Sequence, residues 1–454
     1  MISGGALGLA FIPVLAATLD QDGRPALWAL FSRVANLVFL ITACLAVVVG
    51  LLAMPLVGSE FGIAPGFSST QRALVVELMR LNLVATLLFS MSGLVVAGLQ
   101  ANKHFLLPAL APVAYDVGQI FGAVVLAPTD PLRLGPLTLP AAGMGVHGLV
   151  YGVILGAALH LGVQIPGLMR HRFRWAPVID WREAGVVRVA RLLGPRILTI
   201  GAFQLIFIIQ DNLASRLEVG SVTALTYGWL IMQLPETLIA TAVATALLPT
   251  ISEQFGRGAA AVFESLVARA VRVLAVVAVP VTALLLLFVA PLIQAVFRFD
   301  LQDTALVAVA ARAYLLGLLG HSLLEVAARA FYAQQDARTP LRVTAIGLTA
   351  FTAAAVLLFR SLGAAGIALA NSIAFTLEAA ILIVLLRRRF PSVGGLRAPL
   401  TRAAVGAALA CTVALLTWRL IPSGGPEAAI GGLLVGGAAA LPFVLPELRE
   451  LAVL

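Results

Sequence analysis

Within one apolar stretch, residues 304–333, the side chains His321, Glu325 and Arg329 stand four residues apart, which stacks them on one face of a helix. Glu325 and Arg329 can pair there, and pairing lowers the cost of holding both charges in an apolar medium. Glu77 and Arg80 repeat the arrangement at a spacing of three. In the stretch 192–216, Gln204, Asp211 and Ser215 fall at helical spacings with Asn212 beside them. The next stretch, 222–250, continues with Thr226, Gln233, Thr237 and Thr241, plus Glu236. Two adjacent polar faces of this kind predict one wet cavity, against the alternative of hydrogen bonds between tightly packed helices. Arg80 suits either an anion site or a shared structural role with Arg312, and Arg33 and Arg269 read as helix-end arginines that snorkel to an interface. Asp116 is a lone carboxylate in an apolar helix. Cys44 and Cys411 are far apart without a CxxC or Cys/His spacing, and His104, His147, His160 and His171 show no metal-ligand spacing, so neither disulfide nor metal is expected.

These residues are carried by an unusually apolar chain. Of its 454 residues 61% are hydrophobic and 11% charged, where a soluble domain has about 25% charged. Runs long enough to cross a hydrocarbon core of about 30 Å recur throughout. They lie near 2–18, 28–57, 73–100, 105–127, 143–169, 192–216, 222–250, 260–297, 304–333, 340–359, 363–386, 399–420 and 427–446. The chain is therefore read as an all-α polytopic membrane protein with thirteen spans and no extramembrane domain. The net charge of +9 does not point to nucleic acid, because the arginines cluster in short loops between apolar spans. The richer clusters, among them Arg170, Arg172, Arg174, Arg182, Arg188 and Arg191 and the run Arg387, Arg388, Arg389, fall in alternate loops. Those loops are cytoplasmic by the positive-inside rule, and the C-terminus falls on the same side. The first span has no basic n-region or small-residue cleavage site, so it is not read as a signal peptide.

An internal repeat organises the spans. A shift of 236 lays Phe11-Ile12-Pro13 on Leu247-Leu248-Pro249, Arg33 on Arg269 and Pro55 on Pro291. A shift of 232 lays Arg80 on Arg312 and Pro108 on Pro340, and one of 218 lays Gly145 and Gly148 on Gly363 and Gly366. The series predicts two parallel six-helix repeats around a central cavity, followed by a helix pair, with boundaries at 1–180, 181–390 and 391–454. Met1 falls on Thr237, so the first half is expected to lack the counterpart of residues 190–236, thirteen helices standing for fourteen.

The segments Ser3-Gly-Gly-Ala-Leu-Gly-Leu-Ala-Phe-Ile-Pro-Val-Leu, Leu234-Pro-Glu-Thr-Leu-Ile-Ala-Thr-Ala-Val-Ala-Thr-Ala-Leu-Leu-Pro, Ala64-Pro-Gly-Phe and Gln334-Gln-Asp-Ala-Arg-Thr-Pro resemble the MurJ/MviN family of lipid II flippases. The resemblance implies the fold of the multidrug/oligosaccharidyl-lipid/polysaccharide exporter superfamily in a bacterial cytoplasmic membrane. It also implies translocation of an undecaprenyl-pyrophosphate-linked peptidoglycan precursor by alternating access. The expected partners are that glycolipid and membrane lipids, with no nucleic acid; the expected state is a monomer. No cofactor is expected, and a coupling cation or the membrane potential would drive the cycle. Arginine is suited to the pyrophosphate because its planar fork makes bidentate contacts. The family commonly carries an arginine in a Tyr-Ala-Asp-Arg-Leu-Met-Glu-Phe-Pro segment, whereas this chain reads Tyr227-Gly-Trp-Leu-Ile-Met-Gln-Leu-Pro235, with Leu230 in its place. That departure keeps open export of another polyprenyl-linked oligosaccharide or a drug. A membrane-embedded enzyme would need acidic or histidine motifs in its interfacial loops, which offer none. A scaffold would not need the buried charges. The candidate cavity residues are Arg80, Gln204, Asp211, Asn212, Gln233, Glu236, Glu325 and Arg329.

Overall fold

A long apolar run in lipid has no water to bond its backbone, so it closes its hydrogen bonds internally as a helix. The computed structural model of the chain describes residues 2–135, 137–421 and 425–451. The side chains of the Ser3-Gly4-Gly5 segment lie outside the described residues. The chain divides into two compact units, Met1–Gly201 and Ala202–Leu454, each described by itself. The first holds α1 (Ile2–Leu51), α2 (Ala53–Gly58), α3 (Ser69–Ala101), α4 (Leu106–Phe121), α5 (Val146–Gly162), α6 (Ile165–Arg170) and the start of α7 (Ala184–Ala214). The second continues with α8 (Ser221–Glu236), α9 (Ala242–Gly256), α10 (Ala260–Phe297), α11 (Leu301–Leu315), α12 (Leu318–Ala333), α13 (Arg338–Arg389), α14 (Arg397–Leu420) and α15 (Pro426–Leu451). The described residues also hold one small hairpin, Leu132–Leu134 paired antiparallel with Leu137–Leu139, which hydropathy did not foresee.

Among the described residues nine helices are long and apolar enough to cross a membrane, ten if α11 and α12, bent by 43° at their junction, form one span. Hydropathy along the sequence predicts thirteen spans, more than these long apolar helices number. Two of the long helices are pairs in disguise: α1 and α13, of 50 and 52 residues, each break at a glycine with positive φ, Gly23 at 78° and Gly363 at 57°. Only glycine adopts that conformation without strain, so each break is a corner of a single residue.

The repeat seen in the sequence is present in the backbone of each unit. Helix α3 spans 69–101, and α11 with α12 spans 301–333, the same positions at a shift of 232. Ser68 caps α3 by accepting from the Gln71 N–H at 3.3 Å, and the equivalent Asp300 caps α11 by accepting from Asp303 at 2.7 Å. After these helices Lys103 and Gln335 turn the chain with φ of 59° and 60°. Gly145, at φ 55° and ψ −136°, matches Gly363 at 57° and −139°. The drop in offset from 232 to 218 falls on residues 127–144, where the first unit carries the hairpin and the second turns directly at Gly363.

Glycines bring α4 and α5 into backbone contact. Gly118 and Gly122 face Gly148, Gly152 and Gly156, and a Cβ on Gly152 would lie 2.6 Å from the Gly122 Cα. Such small residues, four apart, let membrane helices approach closely. In the second unit the positions equivalent to Gly122 and Gly152 carry Ala354 and Ala370. Helices α14 and α15 pack on each other and on α10 through Leu284, Phe288, Ala410, Ala414, Ala429 and Ala440, and Arg402 pairs with Glu447.

The start of α13 is held by Asp336, which accepts from the N–H groups of Arg338 (3.1 Å) and Thr339 (3.0 Å) and from the Thr339 hydroxyl (2.7 Å). The Thr339 hydroxyl first, then the backbone donors and Arg389, hold this carboxyl below its usual value of 3.8. A depressed folded value means that the stabilisation is present above the unfolded value and is lost as pH falls through the folded one. Asp336→Ala should therefore cost about 1 kcal/mol at neutral pH. The gap between wild type and variant in thermal melts should narrow below about pH 4; a gap independent of pH would show that the carboxylate is not the cap.

Candidate functional site

Proline at 235 lacks an N–H, so α8 cannot continue its bonding unchanged, and the chain passes through a π-helical turn, Thr237–Thr241, before α9 resumes. The wider turn gathers polar side chains on Glu236. Its carboxylate accepts from the Thr241 hydroxyl at 3.0 Å and the Thr237 hydroxyl at 3.4 Å. One turn further, the Thr245 hydroxyl accepts from Arg329 Nη2 at 3.3 Å. On α12, Arg329 binds the Glu325 carboxylate and also donates to the Glu325 carbonyl at 3.1 Å. The charges of Glu236 and Arg329 act on each other. The result is a Glu325–Arg329 ion pair on α12 with the Glu236 carboxylate and three threonines on the neighbouring turns of α8 and α9. A planar fork so held has donors that can exchange a carboxylate for a phosphate oxygen, while Glu236 can attract a cation when the fork turns away.

The Glu325–Arg329 pair is thus found as the spacing predicted. Other members of the candidate set are placed differently. Gln204 and Gln233 are exposed, and Asp211 and Asn212 are half-buried. The Ser215 hydroxyl donates to the Asn212 carbonyl at 2.8 Å. Arg80 does not pair with Glu77. Its Nε donates to the Gly50 carbonyl at 2.9 Å, and Glu77 turns to His147, 3.2 Å away. Arg312 makes the equivalent bond, Nε to the Leu286 carbonyl at 3.1 Å, so the repeat-equivalent arginines share a structural role. His321 does not join Glu325; it bonds Asn371 Oδ1 at 3.1 Å and stacks on Phe375. Arg33 has a partner as well, Glu183 at 3.6 Å.

Several buried polar residues carried no signal in the sequence. Gln210, one position off the polar stripe, accepts from the Tyr314 hydroxyl at 2.6 Å, and Trp229 packs edge-on against Tyr314 and His321. Ser372 donates to the carbonyls of Ala313 (2.7 Å) and Tyr314 (3.2 Å) at the bend between α11 and α12. Glu378 is 2% exposed, accepts from the Thr344 hydroxyl at 3.3 Å and abuts Gly347, where any side chain would collide with its carboxyl. Among the described residues no three His, Cys, Asp or Glu side chains are grouped to hold a metal ion.

A family model described as Lipid II flippase MurJ matches residues 1–426. The chain belongs to the MurJ family. A curated lipid II flippase MurJ from Burkholderia cenocepacia is 33% identical over 406 residues, covering 87% of this chain and 76% of the relative. A probable lipid II flippase MurJ from Rhizobium tropici is 28% identical, with 86% and 72% covered. Among solved structures, a lipid II flippase MurJ in an inward closed conformation superposes with a TM-score of 0.80 at 20% identity, covering 99% of this chain and 90% of that one. An inward-facing transporter of the multidrug MATE family gives 0.70 at 15%, with 86% and 87% covered. These likenesses show the fold. It is a multi-pass helical membrane protein of the MurJ family with the MATE-type arrangement of helices.

Proposed function

We propose that this chain translocates a polyprenyl-pyrophosphate glycolipid of the lipid II class from the inner to the outer leaflet of a bacterial cytoplasmic membrane. The observation that carries the reading is the family match over residues 1–426. The Glu236–Arg329–Glu325 cluster supplies chemistry of the right kind. Its guanidinium takes the pyrophosphate in the loaded state, and its carboxylates re-engage it after release, so substrate and internal ion pairs alternate at one site. A coupling cation attracted by Glu236, or the membrane potential, drives the cycle. The chain works as a monomer, forms and breaks no covalent bond in its cargo, and keeps its C-terminus in the cytoplasm. Arg80 and Arg312 hold helices rather than substrate, and Gln204, Asp211, Asn212 and Gln233 line the water-filled path. The lobes are residues 1–180 and 181–390, with 391–454 as an added helix pair.

Leu230, standing where the family resemblance has arginine, favours a second reading in which the cargo is another polyprenyl-linked oligosaccharide. Complementation separates the two. In a bacterium depleted of its own lipid II flippase, expression of this protein should restore growth and prevent lysis. Lysis that persists despite membrane insertion would discard the lipid II reading and leave the exporter.

A further inference from the structure

Away from the polar cluster, the second unit buries a carboxyl between the two arms of α13. Glu378 lies on the second arm, fifteen residues after the Gly363 corner, against Thr344 and Gly347 of the first arm. The residues about it are apolar: Val343, Ala379 and Leu382 belong to one core with Leu323, Val326 and Ala327 of α12. Glu378 Oε2 accepts from the Thr344 hydroxyl at 3.3 Å, while Oε1 is buried without a hydrogen-bond partner. The backbone donors on either side are spent within the helix.

One hydroxyl does not sustain a buried carboxylate. An ion so placed takes a proton and becomes neutral, unless a cation reaches it. On the elements packed against α13 the charged and titratable groups are engaged elsewhere. Arg312 of α11 donates to the Leu286 carbonyl, and Tyr314 to Gln210. On α12, His321 bonds Asn371 and Arg329 binds Glu325. Glu236 of α8 accepts from Thr237 and Thr241. On α13 itself Arg338 and Arg342 are exposed, and Arg389 donates to Gln334. A metal cation would need several more oxygens than a carboxyl and a hydroxyl offer. A Cβ on Gly347 would overlap the Glu378 carboxyl, so backbone already fills the space beside it.

The repeat sets a titratable group at the same place in the first unit. At a shift of 218, Glu378 falls on His160. The His160 ring has its partner in place, with Nδ1 2.6 Å from the Ser92 hydroxyl, whereas Glu378 Oε1 has none.

We propose that Glu378 is a proton-binding site, protonated while the two arms of α13 are closed on it and deprotonated when they part. On opening, the O–H bond breaks, the proton passes to water entering between the arms, and the carboxylate left behind is solvated by that water. Closing reverses each step. The arms are joined covalently at Gly363, and Glu378 sits toward their other end: Thr344 is six residues from Arg338, where the first arm starts, or about 9 Å at about 1.5 Å per residue. In the transport cycle, on which this use of the site rests, one coupling cation is then a proton held at Glu378.

Two measurements on the full-length protein test the site, and neither needs glycolipid. Infrared difference spectra of wild type against Glu378→Gln in lipid nanodiscs at neutral pH should show the carbonyl band of one protonated carboxyl, shifted in heavy water and lost in the variant. Glutamine has the shape of the protonated acid, so the variant should fold. Val343→Cys, in a chain carrying Cys44→Ala and Cys411→Ala, reports the parting of the arms through its reaction with a maleimide. Relative to the exposed Asp130→Cys, its labelling should become about tenfold faster or more between about pH 5 and about pH 9. With Glu378→Gln added, the rate should stay at its low-pH value, because an amide has no proton to lose at these pH values. A spectrum in which no carboxyl band is lost, or the same pH dependence of labelling in the glutamine variant, would overturn the proposal. Both results stand or fall by themselves, even where rescue of a flippase-depleted strain fails and strikes the transport reading.

Discussion

Gly152→Val should be among the most damaging single changes in the chain. A Cβ at this position meets the backbone of Gly122 at 2.6 Å and of Gly118 at 3.0 Å, and backbone cannot swing aside as a side chain can. Helices α4 and α5 must separate, and every close contact along Gly118, Gly122, Gly148 and Gly156 loosens with them. Overpacking of this kind costs about 3 kcal/mol or more, a large part of a marginal stability. The protein in detergent should melt well below wild type or elute as aggregate. Gly152→Ala should be milder, since Ala354 and Ala370 occupy the equivalent pair in the second unit. Ala370→Gly should cost only about 1 kcal/mol, the helix-propensity difference. A melting temperature for Gly152→Val equal to that of wild type would show that α4 and α5 do not touch as described.

Removing the one cation of the polar cluster should abolish transport while leaving the protein folded. Arg329→Leu removes the partner of Glu325 and leaves the Glu236 carboxylate with only the Thr237 and Thr241 hydroxyls. Fully buried pairs lose 3–5 kcal/mol when one partner is removed, and this half-buried one should lose about 2 kcal/mol. Rescue of a flippase-depleted strain should fail, and glycolipid binding should weaken about tenfold or more, the equivalent of 1.4 kcal/mol. Arg329→Lys keeps the charge but loses the planar fork, so partial rescue is expected. Full rescue by the leucine variant would remove Arg329 from the transport path.

How much of this was legible beforehand depends on the range of each interaction. The repeat could be read because offsets between prolines, arginines and glycines survive when side chains diverge, and the backbone then reproduces them at Gly145 and Gly363, Ser68 and Asp300, Lys103 and Gln335. The Glu325–Arg329 pair was legible because both residues ride one helix, whose pitch fixes their separation. Glu77 shows the limit of that argument. The same pitch offers it Arg80, but His147, seventy positions away, competes and wins. Glu378 and Thr344 lie on the two arms of α13, and only the corner at Gly363 brings them together. Gln210 was missed because a helical wheel assigns faces without saying what packs against them; Tyr314 does, from another helix. The glycines at 118, 122, 148, 152 and 156 were visible as a composition and silent as a contact until α4 met α5.

The corner at Gly363 also bears on how the chain enters the bilayer during synthesis. Insertion machinery takes its cue for orientation from basic residues in the loops between spans. Between the two arms of α13 there is no such loop, only one glycine in a left-handed conformation, with Arg360 three residues before it. The topogenic signals of the pair therefore sit at its outer ends, Arg338 and Arg342 before the corner and the run Arg387, Arg388, Arg389 after it, so both arms are oriented by basic residues on one side of the membrane.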